Sequence, residues 1–215
     1  MINNQPPSKQ TDNPKLLEVT EIFDTIQGEG PLSGYPATFV RLAGCNLQCT
    51  WCDTIYNTVD YLTPADIVAR VNHKIVVITG GEPFRQNIYQ LCRELGNAGH
   101  TVQIETNGTI CPPDHQLRFD VIVISPKTTG VHPRWFEVQK WANVVIKTVI
   151  GDGAFPSQPG DKGGDPLENI TPDIVMPLDS GNELENEHNK ALAVEYVMKH
   201  DCRLQLQIHK ELGLK

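Results

Sequence analysis

The chain has 215 residues, a span that suits one large domain. Hydrophobic residues make up 39% and charged residues 20%, which is enough apolar material for a sizeable core and excludes collagen, coiled coil and wholesale disorder. The net charge of −8 argues against a domain that grips nucleic-acid phosphates, so a small molecule is the expected substrate class.

Residues 1–15 are polar and read as a flexible N-terminal tail. They lack the apolar stretch of a signal peptide, and no run of about 18 apolar residues follows, so cytoplasmic location without membrane contact is expected. In a reducing compartment the six cysteines are expected to serve as ligands or catalytic groups rather than disulfides.

From residue 16 to 215 the pattern is that of one domain. Leu16 to Phe23 alternates apolar and polar residues like a half-buried strand. A Gly-rich loop, Asp24 to Pro36, leads to a second strand, Ala37 to Leu42. Gly44 to Asn57 is irregular and carries three cysteines. Thr63-Pro64-Ala65-Asp66 is a helix start, with Thr as N-cap and Pro at the first turn, for a helix expected to reach about His73. Ile75 to Ile78 is wholly apolar, as a strand buried on both faces should be. The alternation continues with a helix over Gln86 to Ala98, strands at Thr101 to Glu105 and Val121 to Ile124, and a helix over His132 to Trp141. Strands at Val144 to Val149 and Ile174 to Met176 follow. A helix over Leu184 to His200 is expected to turn Leu184, Ala191, Val194 and Met198 inward, and Arg203 to Ile208 closes as a strand. Eight of the sixteen residues in 151–166 are Gly or Pro, which reads as a mobile surface loop or an insertion.

Alternating strands and helices imply an α/β fold with a parallel sheet of about six core strands after the first. That is too few for an eight-stranded barrel but fits an open or partial (β/α) barrel. In such folds the chemistry sits at the carboxyl ends of the strands.

Cys45, Cys49 and Cys52 form a Cys-x-x-x-Cys-x-x-Cys trio. Their spacing would place them on one helix face, but Gly44, Asn46, Thr50, Asp53 and Thr54 make a poor helix and a good loop. A structural zinc site asks for four ligands, and Cys92, Cys111 and Cys202 are scattered singly. An iron–sulfur cubane held by three thiolates leaves one iron open to a small molecule. On these residues alone, core packing, zinc and iron–sulfur all stand.

The trio, with Trp51 before its last cysteine, resembles the signature of the radical S-adenosylmethionine superfamily. Thr79-Gly80-Gly81-Glu82-Pro83, directly after a buried strand, resembles the segment that in this superfamily meets the methionyl amino group; an acid suits an ammonium. Finer motifs resemble those of the 7-carboxy-7-deazaguanine synthase family. They are Glu21 to Gly30, Phe39-Val40-Arg41-Leu42, Cys52-Asp53-Thr54, Glu105 to Thr109, Ser125-Pro126-Lys127 and Leu206 to Lys210.

The resemblance implies a reduced partial barrel of radical-SAM type and a homodimer served by a flavodoxin- or ferredoxin-type reductant. It implies conversion of 6-carboxy-5,6,7,8-tetrahydropterin to 7-carboxy-7-deazaguanine, a ring contraction with loss of ammonia on the way to queuosine. The implied cofactors are a 4Fe–4S cluster, S-adenosylmethionine and Mg²⁺. Carried over by motif, Cys45, Cys49 and Cys52 would hold the cluster and Thr54 the Mg²⁺. Trp51, Cys52, Asp53, Gly81, Ser125, Pro126, Lys127, Met176, Pro177, Leu178 and Asp179 would border S-adenosylmethionine. Ile26, Gln27, Gly28, Glu29, Arg41, Thr79, His209 and the terminal Lys215 would line the pterin. For Glu105 and Asn107 a structural turn and a ligand contact weigh nearly equally. Two other readings remain: a glycyl-radical-enzyme activase, and a non-catalytic zinc or iron–sulfur module.

Overall fold

The computed structural model describes residues 5–49, 52–111, 119–127, 130–140, 142–151 and 171–214. Seven strands run parallel in chain order: β2 (Pro36–Leu42), β4 (Ile75–Gly80), β5 (Thr101–Thr106), β6 (Val121–Ile124), β7 (Val144–Ile150), β8 (Ile174–Pro177) and β9 (Arg203–Leu204). β1 (Leu17–Ile26) lies antiparallel beside β2, and β3 (Asp60–Leu62) antiparallel beside β1. The result is an open, partial barrel of mostly parallel strands.

Register separates the two faces. Val40, Ile78, Ile104, Ile122 and Val144 form one row across five strands. Val40, Ile78, Ile104 and Ile122 pack on the helical side with Ile67 of α1 (Pro64–Val68), Leu91, Cys92 and Leu95 of α2 (Tyr89–Asn97), and Trp135 of α3 (Trp135–Val138). One residue on from this row, Arg41, Thr79 and Glu105, and three residues on from Val144, Lys147, line the cavity on the opposite, lumenal face. The period of two along each strand thus sorts an apolar core from a polar lumen.

Several boundaries differ from the sequence reading. β1 continues through Ile26, because Asp24, read as loop, accepts from Thr38 Oγ1 at 2.6 Å and from Asn72 Nδ2 at 2.7 Å across the sheet end. α1 begins with the expected Thr63–Asp66 capping box but stops at Val68 rather than near His73. The backbone amides of Asn72 and His73 instead donate to Thr38 Oγ1, at 3.1 and 3.2 Å. Pro83–Arg85 forms a 3₁₀ turn, so α2 starts only at Tyr89, and α3 keeps a single turn.

α4 (Glu183–Lys199) is capped by Asn182, but Leu184, Ala191, Val194 and Met198 are all exposed. Asn189 and Ala193 turn inward instead, with Asn189 Nδ2 donating to the Leu178 carbonyl at 2.9 Å. β9 keeps two residues, because Gln205 and Gln207 turn to the β1–β2 hairpin and the chain then winds into α5 (Ile208–Glu211).

From residue 5 the N-terminal segment is irregular but tied down. Gln5 Nε2 donates to the Thr54 carbonyl at 3.0 Å, the Ser8 amide to the Cys45 carbonyl at 2.6 Å, and Arg85 Nη1 to the Lys9 carbonyl at 2.6 Å. It straps the cysteine loop to the 3₁₀ turn. Trp51, Lys215 and 152–166 of the Gly/Pro-rich loop lie outside the described residues, as do Trp141 and residues 1–4. No helix among the described residues is long and apolar enough to cross a membrane.

Candidate active site

The carboxyl ends of the parallel strands surround a cavity of ≈ 360 Å³. The cysteine loop leaves β2 after Leu42 and is held by backbone. The Gly81 amide donates to the Leu42 carbonyl at 3.1 Å, and the Glu82 amide to the Gly44 carbonyl at 2.9 Å. Two glycines make this approach feasible. Gly80 has φ +130°, and a Cβ on it would fall 2.0 Å from the Leu42 carbonyl oxygen; one on Gly81 would fall 2.0 Å from that of Gly44. Backbone cannot yield as a side-chain tip can. Gly81→Ala should therefore cost roughly 2–3 kcal/mol of stability, checked by denaturant unfolding, and displace the cysteine loop.

Glu82 departs from the expectation that its acid faces an ammonium. It is fully buried and accepts from Phe84 N at 3.0 Å, Thr106 Oγ1 at 2.8 Å and Asn107 N at 2.8 Å. It joins the end of β4 to the end of β5. Burial pushes its pKa up to about 7 against the pull of those donors. Asn107 Nδ2 in turn donates to Asn46 Oδ1 at 3.0 Å, and Asn46 Nδ2 to Thr109 Oγ1 at 2.8 Å, so this turn secures the cysteine loop. Glu105, two residues before Asn107, faces the cavity. Asn107 thus takes the structural role, while Glu105 lines the cavity.

Cys45, Cys49 and Cys52 line the cavity together as free thiols. Burial, outweighing the Leu47 amide that donates to its sulfur, pushes Cys45 up to about 11; the charges of Glu82, Cys49 and Cys52 add to this. Burial likewise raises Cys52. A metal must therefore displace protons on binding. Among the described residues no three His, Cys, Asp or Glu side chains converge to hold a single ion. A cubane asks for something else, one thiolate per iron, and three thiols on one cavity wall fit it.

Asp53 and Thr54 follow on the same wall. Arg41 is held at the cavity by an ion pair, an aromatic ring and a hydroxyl. Its Nε pairs with Glu21 at 2.8 Å, its guanidinium lies over Phe23 at 5.4 Å, and Nη1 reaches Thr54 Oγ1 at 3.5 Å beside the cavity. Ile26, Gln27, Glu29, Thr79, Gly81, Ser125, Lys127, Met176, Pro177, Leu178, Asp179 and His209 also line it. Lys127 Nζ donates to Ser125 Oγ at 2.7 Å, and burial together with the charge of Lys147 holds its pKa below the ordinary lysine value.

Gly28 and Pro126 stand behind the lining. A Cβ on Gly28 would lie 1.9 Å from His209 Nδ1, so this glycine lets α5 close on the hairpin. Lys210 then ties α5 to the mouth, 3.3 Å from Asp53 Oδ2 and 2.9 Å from Asp179 Oδ2. Among the polar lining residues, Lys147, Gln207 and Lys210 have no role in the sequence reading. The one available signal for Lys147 was a cation interrupting the apolar run of β7.

A parallel partial barrel whose strand-end loops bring a Cys-x-x-x-Cys-x-x-Cys trio against a Gly-Gly-Glu-Pro turn defines a radical S-adenosylmethionine enzyme. No protein-family model matches the chain. It is 37% identical over 216 residues to the 7-carboxy-7-deazaguanine synthase of Rickettsia prowazekii, spanning 93% of this chain and 89% of that protein. It is 36% identical to that of Rhodospirillum rubrum, over 92% of each. The crystal structure of QueE from Escherichia coli superimposes with a TM-score of 0.66 at 26% identity, covering 89% of this chain and 94% of that one. The chain belongs to the 7-carboxy-7-deazaguanine synthase family.

Proposed function

We propose that this chain converts 6-carboxy-5,6,7,8-tetrahydropterin to 7-carboxy-7-deazaguanine, as a carbon–nitrogen lyase in queuosine biosynthesis. The observation that carries the reading is the meeting of Arg41, Gln27 and Glu29 with the cysteine trio in one cavity. When bound, a 4Fe–4S cluster and S-adenosylmethionine supply a radical able to abstract hydrogen.

The chain's own residues do the rest. Cys45, Cys49 and Cys52 hold the cluster, and the Gly80–Gly81 turn brings backbone against the same wall. Asp53, Ser125, Lys127 and the Met176–Asp179 segment border S-adenosylmethionine; Trp51 is assigned there by motif. Arg41 offers its guanidinium to the substrate carboxylate, and Thr54, 3.5 Å from Arg41 Nη1, offers a hydroxyl to Mg²⁺ at the same end. Gln27, Glu29 and His209 surround the ring system, with burial holding His209 below its ordinary pKa against the charge of Glu29. A homodimer and a flavodoxin- or ferredoxin-type reductant complete the proposal.

The test is an anaerobic reaction of the reconstituted protein with dithionite, S-adenosylmethionine, Mg²⁺ and the carboxypterin, read by mass spectrometry. 7-Carboxy-7-deazaguanine is the expected product. Formation of 5′-deoxyadenosine alone would overturn the substrate and leave the enzyme class standing.

A further inference from the structure

We propose that Lys147 is a positioning residue for substrate: its ammonium, fixed in the lumen between Glu29 and Glu105, sets these two carboxylates as the wall on which the pterin lies. This inference rests on the substrate reading above.

Lys147 is 4% exposed in the middle of β7, one residue from the core-facing Ile146. Lysine is almost never so buried unless paired. Here its Nζ pairs with Glu29 and lies 3.1 Å from Glu105 Oε2. The two partners come from distant parts of the chain, the hairpin after β1 and the end of β5. Burial opposes the ammonium, but Glu105 and Glu29 outweigh it and hold its pKa above the ordinary lysine value. The effect on Glu29 is reciprocal. Burial would raise its pKa, and the charge of Lys147, helped by Gln207, takes it well below the usual carboxylate range.

The remaining carboxylate oxygens are placed by amides. Gln103 Nε2 donates to Glu105 Oε1 at 2.6 Å, and Gln207 Nε2 to Glu29 Oε1 at 2.6 Å. Each acid therefore has one oxygen on the lysine and one on an amide. β7, β5, the hairpin and the segment after β9 meet at one cation. Take that cation away and neither acid keeps the bond that fixes one of its oxygens to β7. The hairpin loop after Ile26, which lies outside the β1–β2 ladder, is the part that yields, and Gln27 and Glu29 leave the substrate wall with it.

The experiment uses cluster-loaded protein under anaerobic conditions, with Lys147→Met, Lys147→Arg and the double variant Lys147→Met/Glu105→Gln. Three quantities are read: 5′-deoxyadenosine release from S-adenosylmethionine without pterin, equilibrium binding of 6-carboxy-5,6,7,8-tetrahydropterin, and KM and kcat. In Lys147→Met pterin binding is expected to weaken and KM to rise roughly tenfold or more, the size of a lost charge-assisted contact, with pterin-independent cleavage read alongside as the check on an intact cluster site. Lys147→Arg should recover most of the binding. The double variant removes one of the two facing acids and with it their repulsion, which guards against a simple folding failure; it should still bind pterin weakly.

Unchanged binding and KM in Lys147→Met would overturn the inference. So would restoration of pterin binding in the double variant, since that would make Lys147 only a relief of repulsion. Failure of the wild type itself to bind the pterin would overturn the substrate reading, and this inference with it, through a control separate from the variants.

Discussion

Alanine at Cys49 is expected to give a folded protein that holds no cluster, cleaves no S-adenosylmethionine and makes no product. The change removes one sulfur from a loop whose shape is set by backbone. The Cys52 amide still donates to the Cys49 carbonyl at 3.2 Å, and the Gly81 and Glu82 amides still hold the loop to β4. The stability cost should therefore stay near about 1 kcal/mol. Two thiolates, by contrast, would leave a second iron with no protein ligand and the cubane without its third anchor. Cys92→Ala is the matched control. Its thiol, fully buried on α2 and pushed up to about 12 by burial, faces the helical core. That variant should lose about 1–2 kcal/mol and keep its iron. Iron and sulfide content, visible absorption, circular dichroism and 5′-deoxyadenosine release decide the matter. A brown, active Cys49→Ala protein would refute the assignment of the trio.

The contrast between these cysteines shows what the sequence makes legible. Loop-forming neighbours set Cys45, Cys49 and Cys52 apart, while Cys92 sits in helical period with Ile88 and Leu95. The buried parallel strands are equally plain, because β4 and β6 are short uninterrupted apolar runs. α4 is not legible in this way: its apolar residues form no continuous stripe, and a polar Asn189 takes the inward position because it can bond the Leu178 carbonyl. β9 and α5 escape for a related reason. Leu204 and Leu206 alternate with glutamines as a strand would, but Gln205 and Gln207 find better partners in Gly30 and Glu29 of the hairpin. That contact spans 175 residues or more, and local pattern carries no record of it. Lys147 is the same case at the active site, since its partners are brought together only by the closing of the sheet.

Glu82→Ala carries the largest expected effect on stability. The carboxylate satisfies three donors in a site with no solvent exposure, and alanine supplies none of those acceptors. The amides of Phe84 and Asn107 would be stranded, each at about 1–3 kcal/mol, so a loss of roughly 3 kcal/mol or more is expected in denaturant unfolding. The pH dependence gives an independent signature. Folding raises this acid from 4.5 to about 7, so the native state binds the proton more tightly than the unfolded chain. Stability from this group is then fully present below pH 4.5 and is lost as pH rises through about 7, an effect on the order of 3 kcal/mol at most. The deficit of Glu82→Ala relative to wild type should therefore shrink between pH 5 and pH 8. A deficit that grows over that interval would mean that the three donors hold the ionised form below its ordinary pKa, and that hydrogen bonding rather than burial governs the join between β4 and β5.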